Sequence, residues 1–113
     1  MSQRTMSMTC KMVILASRQE GSSHEECIEY MNEEHAPLVE ELPGLEKYTY
    51  SVPLDPESAG VDYVAQLWFD DPGAMDAAFD SEAGREVTAD AEDFLDTDAL
   101  RMVSVGEETT YVG

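Results

Sequence analysis

LEKYTYSV-PLDPESAGVD-YVAQLWF, residues 45–69, decides how this chain folds. Leu45–Val52 is rich in Tyr and Thr, which suit a pleated, half-buried surface. Tyr63–Phe69 is apolar at both alternating sets of positions, as expected of a strand covered on both faces. Pro53–Asp62, with two prolines and a glycine, reads as a turn-rich connection. Two strands therefore follow one another in the middle of the chain, joined by this connection.

Each side of this pair adds one helical region and one strand. Upstream, Leu42-Pro43-Gly44 stops a helix, and Ser23 with Glu26 opens it as a capping box. Within it Cys27, Ile28, Met31, Leu38, Val39 and Leu42 form an apolar stripe, while Glu25, Glu29, Glu33 and Glu40 face water. Pro37 lies inside the pattern and is expected to kink the helix or loosen the bond to Glu33. Lys11–Ser17 is a first strand, apolar on both faces. Downstream, Asp71 caps a helix that begins at Pro72, with Ala74, Met75, Ala77, Ala78 and Phe79 as its apolar side. A second helical piece after Ser81 carries Val87, Ala91, Phe94 and Leu95, and Ala99–Val105 is a fourth strand. The order β-α-β-β-α-β predicts an α+β, ferredoxin-like domain: both helical regions on one face of a four-stranded antiparallel sheet. The domain is placed at 10–108, between short tails at 1–9 and 109–113. Its other sheet face is left bare and largely apolar, which predicts a homodimer through the sheet faces.

The chain has 113 residues, 42% hydrophobic, enough for one core without disulfide or metal. Six basic residues against 25 acidic ones give a formal net charge of −19. That excludes a nucleic-acid or anionic-membrane surface, because phosphate neutralisation needs clustered Lys and Arg. An acidic coat repels itself, so salt should stabilise the fold by screening. Abundant Asp and Glu with two lysines is similar in composition to haloarchaeal cytoplasmic proteins; an ordinary acidic mesophilic protein is the alternative. Cys10 and Cys27 lack CxxC spacing and build no disulfide scaffold. No apolar run approaches the roughly 18 residues of a membrane span, and Met1–Thr9 has no signal-peptide core. A cytoplasmic location is expected, and an alternative start at Met6 or Met8 is open.

Asn32–Leu45 (NEEHAPLVEELPGL), followed by Tyr48, resembles the signature of the EthD family, E-E-H-x-P-L…L-P-G-L-x-x-Y. Phe69–Asp96 is similar to that family's second, less specific stretch, F-D…A-x-x-A-F…E-G…D…F-x-D. The resemblance spans about residues 11–108. It implies a dimeric α+β barrel, in a family named for a protein linked to bacterial degradation of ethyl tert-butyl ether. The family includes small-molecule enzymes and many members with no assigned activity, so the resemblance implies the fold much more firmly than any one reaction.

His35 is the sharpest candidate for chemistry. It falls four residues after Met31 and three before Leu38, on the stripe facing the sheet. A desolvated imidazole beside a cavity could serve as a general base or orient a ligand. The competing reading is a buried histidine satisfied by backbone or by a tyrosine. Tyr48, Tyr50 and Trp68 are candidate ligand-binding aromatics, with core or interface packing as the alternative. Tyr48 and Tyr50 share one face of their strand; on the helix side they would line a pocket with His35. Arg85 and Arg101 could hold a carboxylate substrate, although pairing with the many acids is the simpler use. His24 and His35 lack metal-ligand spacing, so no metal is expected; no phosphate loop or nucleophile elbow is present, and no cofactor is expected. Cys27 stands about 12 Å along the helix axis from His35, too far for a thiol–imidazole pair.

The first functional expectation is thus an EthD-like protein acting on a small apolar compound through His35, as a cofactor-independent oxygenase, isomerase, dehydratase or decarboxylase. The alternative is a non-catalytic binding or accessory homodimer. A third reading, haem handling, would show itself as a Soret band.

Overall fold

The computed structural model describes residues 10–113. Four strands, β1 (Cys10–Ala16), β2 (Leu45–Ser51), β3 (Tyr63–Phe69) and β4 (Arg101–Val105), form one antiparallel sheet in the order β2-β3-β1-β4. The connection from β1 to β2 skips one position, and β3 fills it. The expected ferredoxin-like arrangement is therefore present.

Among the described residues six helical elements accompany the sheet. The first region divides into α1 (His24–Tyr30), a π-helical turn over Met31–His35, and α2 (Ala36–Val39). Ser23 and Glu26 form the predicted capping box. Pro37 has no N–H to give, and the helix widens just before it: the Ala36 N–H reaches back five residues to the Met31 carbonyl. The expected disturbance is therefore a π-turn, which ends at the buried His35. A one-turn helix, α3 (Pro56–Ala59), sits in the β2–β3 connection behind an Asp55 cap. Downstream, Asp71 caps α4 (Pro72–Asp80), and Ser81 ends α4 and caps α5 (Glu82–Phe94).

Burial along β3 alternates strictly. Tyr63, Ala65, Leu67 and Phe69 are buried under the helices, while Val64, Gln66 and Trp68 on the opposite face are only partly covered. Cross-strand partners share a face, so Val13, Leu15, Val103 and Val105 join the open side. Val103 is 43% exposed there. The bare face inferred for a single copy is present. Met31, Val39 and Leu42 from the first helical region, Met75 and Ala78 from α4, and Val87 and Phe94 from α5 complete the core. Cover on the helix side thins toward β4: Met12 and Ile14 are partly buried, and Met102 is 48% exposed. The tail expected at 1–9, with its alternative starts, lies outside the described residues.

Candidate functional site

His35, at the end of the π-turn, is buried on the same side as Met31 and meets Asp90 and Phe94 of α5. It is 6% exposed. Its Nδ1 lies 2.8 Å from Oδ2 of Asp90 on α5. The Tyr30 hydroxyl donates to the other oxygen, Oδ1 of Asp90, at 2.7 Å. Phe94, one helical turn beyond Asp90, stacks on Tyr30 with ring centroids 4.6 Å apart and tilts against His35 at 5.0 Å. One carboxylate thus ties together two aromatic side chains from the first helical region.

This geometry selects the imidazole tautomer. A carboxylate accepts, so Nδ1 carries the hydrogen that it donates to Asp90, and Nε2 of the neutral ring keeps its lone pair. Among the described residues Nε2 has no hydrogen-bond partner, and no fully buried side-chain nitrogen or oxygen there lacks one. With Nδ1 on Asp90, Nε2 is the ring nitrogen left to meet another group. The bond to Asp90 and the Phe94 ring fix the imidazole's orientation. The partner expected for a purely structural histidine, a backbone group or a tyrosine, is replaced by an acid. The acid acts on Tyr30 as well: its bond to Asp90, then burial, push the phenol up to about 12.

Tyr48 and Tyr50 point to the helix side, as their pairing with Leu67 and Ala65 requires. The Tyr48 hydroxyl donates to Sδ of Met31 at 3.8 Å, and burial pushes its pKa up. Tyr50 donates to Oδ1 of Asn32, and its ring meets Tyr63 edge-on at 5.9 Å. Both tyrosines therefore contact the π-turn that carries His35.

Trp68 is elsewhere. It stands on the open sheet face, with Lys11 and Lys47 above its ring at 5.1 and 4.8 Å. The sheet separates it from His35, so the two cannot line one pocket: adjacent side chains on a strand point to opposite faces, and Leu67 and Phe69 take the helix side. Arg85 donates to the Asp80 carbonyl rather than to a carboxylate. Burial pushes the Cys27 thiol up to about 11, leaving it protonated and unreactive at neutral pH. Among the described residues no group of three His, Cys, Asp or Glu side chains could hold a metal ion. No described helix is long and apolar enough to cross a membrane.

Sequence reasoning did not single out Asp90 and Tyr30. Asp90 lies three residues after Val87 and four before Phe94, so it falls on the apolar stripe of α5. A lone acid on a buried stripe is the signal that could have found it. Tyr30 similarly follows Cys27 by three.

A second polar cluster lies at the start of β3. Asp62, 2% exposed, accepts from the Arg18 N–H and Nη1 at 2.7 and 2.8 Å and meets His24 Nδ1 at 2.7 Å. Arg18 Nε also donates to the Ser22 carbonyl, so the guanidinium is held by its own loop. The adjoining cleft of about 590 Å³ is bordered by Glu20, Glu57 and Asp96. These contacts make Asp62 a clamp between the β1–α1 loop and the start of β3.

Burial raises the Asp62 pKa, but the bonds from His24 and Arg18 outweigh it and hold the carboxyl below its ordinary value. A lowered folded value contributes stability above the unfolded pKa near 3.8, lost as pH falls through the folded one. Asp62→Asn is expected to cost about 3 kcal/mol at neutral pH by leaving Arg18 and His24 poorly paired. Urea unfolding across pH should show the gap to wild type closing as the solution is acidified below pH 4. A gap independent of pH would contradict the ion-pair account.

Comparison with known proteins agrees with this architecture. No curated protein matches the sequence. Among solved structures, an ethyl tert-butyl ether degradation (EthD) family protein from Bacillus halodurans superposes with a TM-score of 0.77 at 22% identity, covering 90% of this chain and 100% of that one. SnoaB, a cofactor-independent oxygenase from Streptomyces nogalater, superposes with a TM-score of 0.69 at 13% identity, over 90% of this chain and 95% of that one. A dimeric ferredoxin-like protein of unknown function from Thermobifida fusca gives 0.71 at 15% identity, over 94% and 97%. At these identities the likeness shows the fold alone. The EthD domain model matches residues 19–98, from the loop before α1 to just beyond α5, and so takes in both Asn32–Leu45 and the Asp90 helix: the chain belongs to the EthD family.

Proposed function

We propose that this EthD-family protein binds a small, fairly apolar organic compound and acts on it by proton transfer at His35. The observation that carries the reading is the Asp90–His35 pair. Asp90 holds the Nδ1 proton, so Nε2 is the basic nitrogen available to a substrate C–H or O–H. On accepting a proton the ring becomes imidazolium, and the adjacent carboxylate stabilises that charge. Tyr30, bonded to the second carboxylate oxygen, keeps Asp90 aimed at the ring. Tyr48 and Tyr50 border the same π-turn, and Met12, Ile14 and Met102 supply apolar surface on the helix side. This inventory suits a compound with one acidic C–H and little charge. The oxygenase activity of the structural neighbour SnoaB supports cofactor-free chemistry on this fold.

The protein works as a homodimer in this reading, with the open sheet faces opposed. Val13, Leu15, Val64 and Val103 would otherwise remain in water. The Thermobifida fusca neighbour is described as dimeric, which supports a dimer.

The test uses a panel of small ketones and nitriles with enolisable protons. Deuterium exchange from D₂O is followed by proton NMR for wild type and His35→Gln. General-base catalysis predicts exchange slower by about 10² to 10⁴ in the variant, at similar melting temperature. Equal exchange in both proteins sinks the catalytic role. Ligand line-broadening that persists without exchange would instead support binding without turnover.

A further inference from the structure

The open sheet face is electrostatically unlike the rest of the molecule. Of six basic residues in the chain, Lys11, Lys47 and Arg101 stand on it, and none of its registered strand positions is acidic. Val105, Lys11, Trp68 and Lys47 form one row across all four strands. The two lysines, the whole lysine content of the protein, converge on Trp68 with ammonium groups 5.1 and 4.8 Å from its ring centre. Neither pairs with any carboxylate among the described residues, although the chain carries 25 acids. Two like charges over one ring repel, and an anion placed between them relieves that repulsion.

The chain contains a segment of matching chemistry. Beyond Val105, at the end of the same row, Gly106–Gly113 runs on as an arm without regular structure. It opens with Glu107 and Glu108 and ends with Tyr111 and Val112, which are 91% and 92% exposed. Two adjacent acids followed by two bare apolar side chains complement two lysines beside a tryptophan and a valine-lined sheet. Length allows the contact. Crossing from β4 to β2 takes three strand spacings, about 14 Å; eight extended residues reach about 26 Å, so the apolar end of the arm can span the sheet, and the two acids reach about 10 Å beyond Val105.

We propose that this arm is exchanged between two copies of the chain: Glu107 and Glu108 of one copy pair with Lys11 and Lys47 of the other, while Tyr111 and Val112 cover its apolar sheet face. The exchange rests on the sheet-to-sheet dimer above and specifies its contacts. A two-fold axis makes it reciprocal, so each dimer holds two such arms. The otherwise like-charged faces can then meet, since each receives the acids of its partner.

The experiment co-refolds light and ¹⁵N-labelled chains, couples amines to carboxylates with a zero-length carbodiimide, and reads the linked peptides by mass spectrometry. Links from Lys11 or Lys47 to Glu107 or Glu108 are expected with one light and one heavy half. In parallel, sedimentation of the full chain is expected to show that Glu107→Lys with Glu108→Lys weakens the dimer at least about tenfold, less so as salt is raised. Adding Lys11→Glu and Lys47→Glu to that variant should restore it. Links confined to chains of one isotope would show the arm folded on its own subunit, and absence of these links would show that the groups do not meet. Either overturns the exchange while a sedimenting dimer leaves the sheet-to-sheet reading intact. A monomer overturns both.

Discussion

Asp90→Ala is expected to destabilise the protein by about 3 kcal/mol and to return the Tyr30 phenol from about 12 toward its ordinary value of 10. One deletion leaves two partly buried donors, the Tyr30 hydroxyl and His35 Nδ1–H, without their acceptor. Each such loss costs more than an ordinary hydrogen bond, because the acceptor is a carboxylate and the donors cannot fully rehydrate beneath Phe94. Chemical denaturation measures the first effect, and the ultraviolet titration of tyrosine the second. The sign of the alkaline limb also follows. Tyr30 has a raised folded pKa, so its contribution is complete below pH 10 and is lost as pH rises through about 12. Asp90→Ala should remove that part of the alkaline dependence. If stability and tyrosine titration both stay as in wild type, the Asp90 network is not formed in solution. Asp90→Asn refines the result. The amide can still accept from Nδ1–H, so it should recover part of the stability, while an imidazolium next to it would lack a counter-charge and general-base exchange should remain slow.

Gly84→Ala is expected to be equally damaging, for a steric reason. A β-carbon at Gly84 would lie 2.4 Å from the Ala78 carbonyl oxygen and 2.5 Å from the Phe79 Cα and carbonyl oxygen. All three obstacles are backbone atoms of α4, so no side chain can rotate out of the way. α4 and α5 would have to separate at the Ser81 corner, where one residue ends the first helix and caps the second. Overpacking of this kind costs about 3 kcal/mol. Since α5 carries Asp90, the displacement should also lengthen the Asp90–His35 contact and move the His35 imidazole resonances in NMR spectra. A folded Gly84→Ala protein with wild-type stability and unchanged imidazole shifts would show that the two helices do not meet this closely. Replacing exposed Gly106 by alanine, where a β-carbon meets nothing, is the matched control.

Much of this architecture is legible in the residues. Caps are local: Ser23 with Glu26, Asp71 before Pro72, and Ser81 each bond within the next turn, so nothing distant can overrule them. The inward placement of His35 is also local, since the 3.6-residue period aligns it with Met31. Pro37 announces a disturbance but not its form. A missing donor can be accommodated by a kink or by a π-turn, and packing against α5 and β2 chooses between them.

The site is legible only in part. Asp90 lies 55 residues from His35 and Asp62 lies 38 from His24, separations at which no periodicity carries information. Tyr48, Tyr50 and Trp68 show the same limit from another side. Strand alternation establishes that the two tyrosines share a face, but which face the helices cover is a property of the assembled layers.

The order of strands and helices along the chain is enough to set the ferredoxin-like sheet, its helix caps and the burial of His35, because each depends on spacings of a few residues. That an aspartate rather than a tyrosine holds the imidazole, and that Trp68 belongs to the lysine-bearing open face, follow from packing alone. Those outcomes depend on which distant groups the assembled layers bring within about 3 Å of each other.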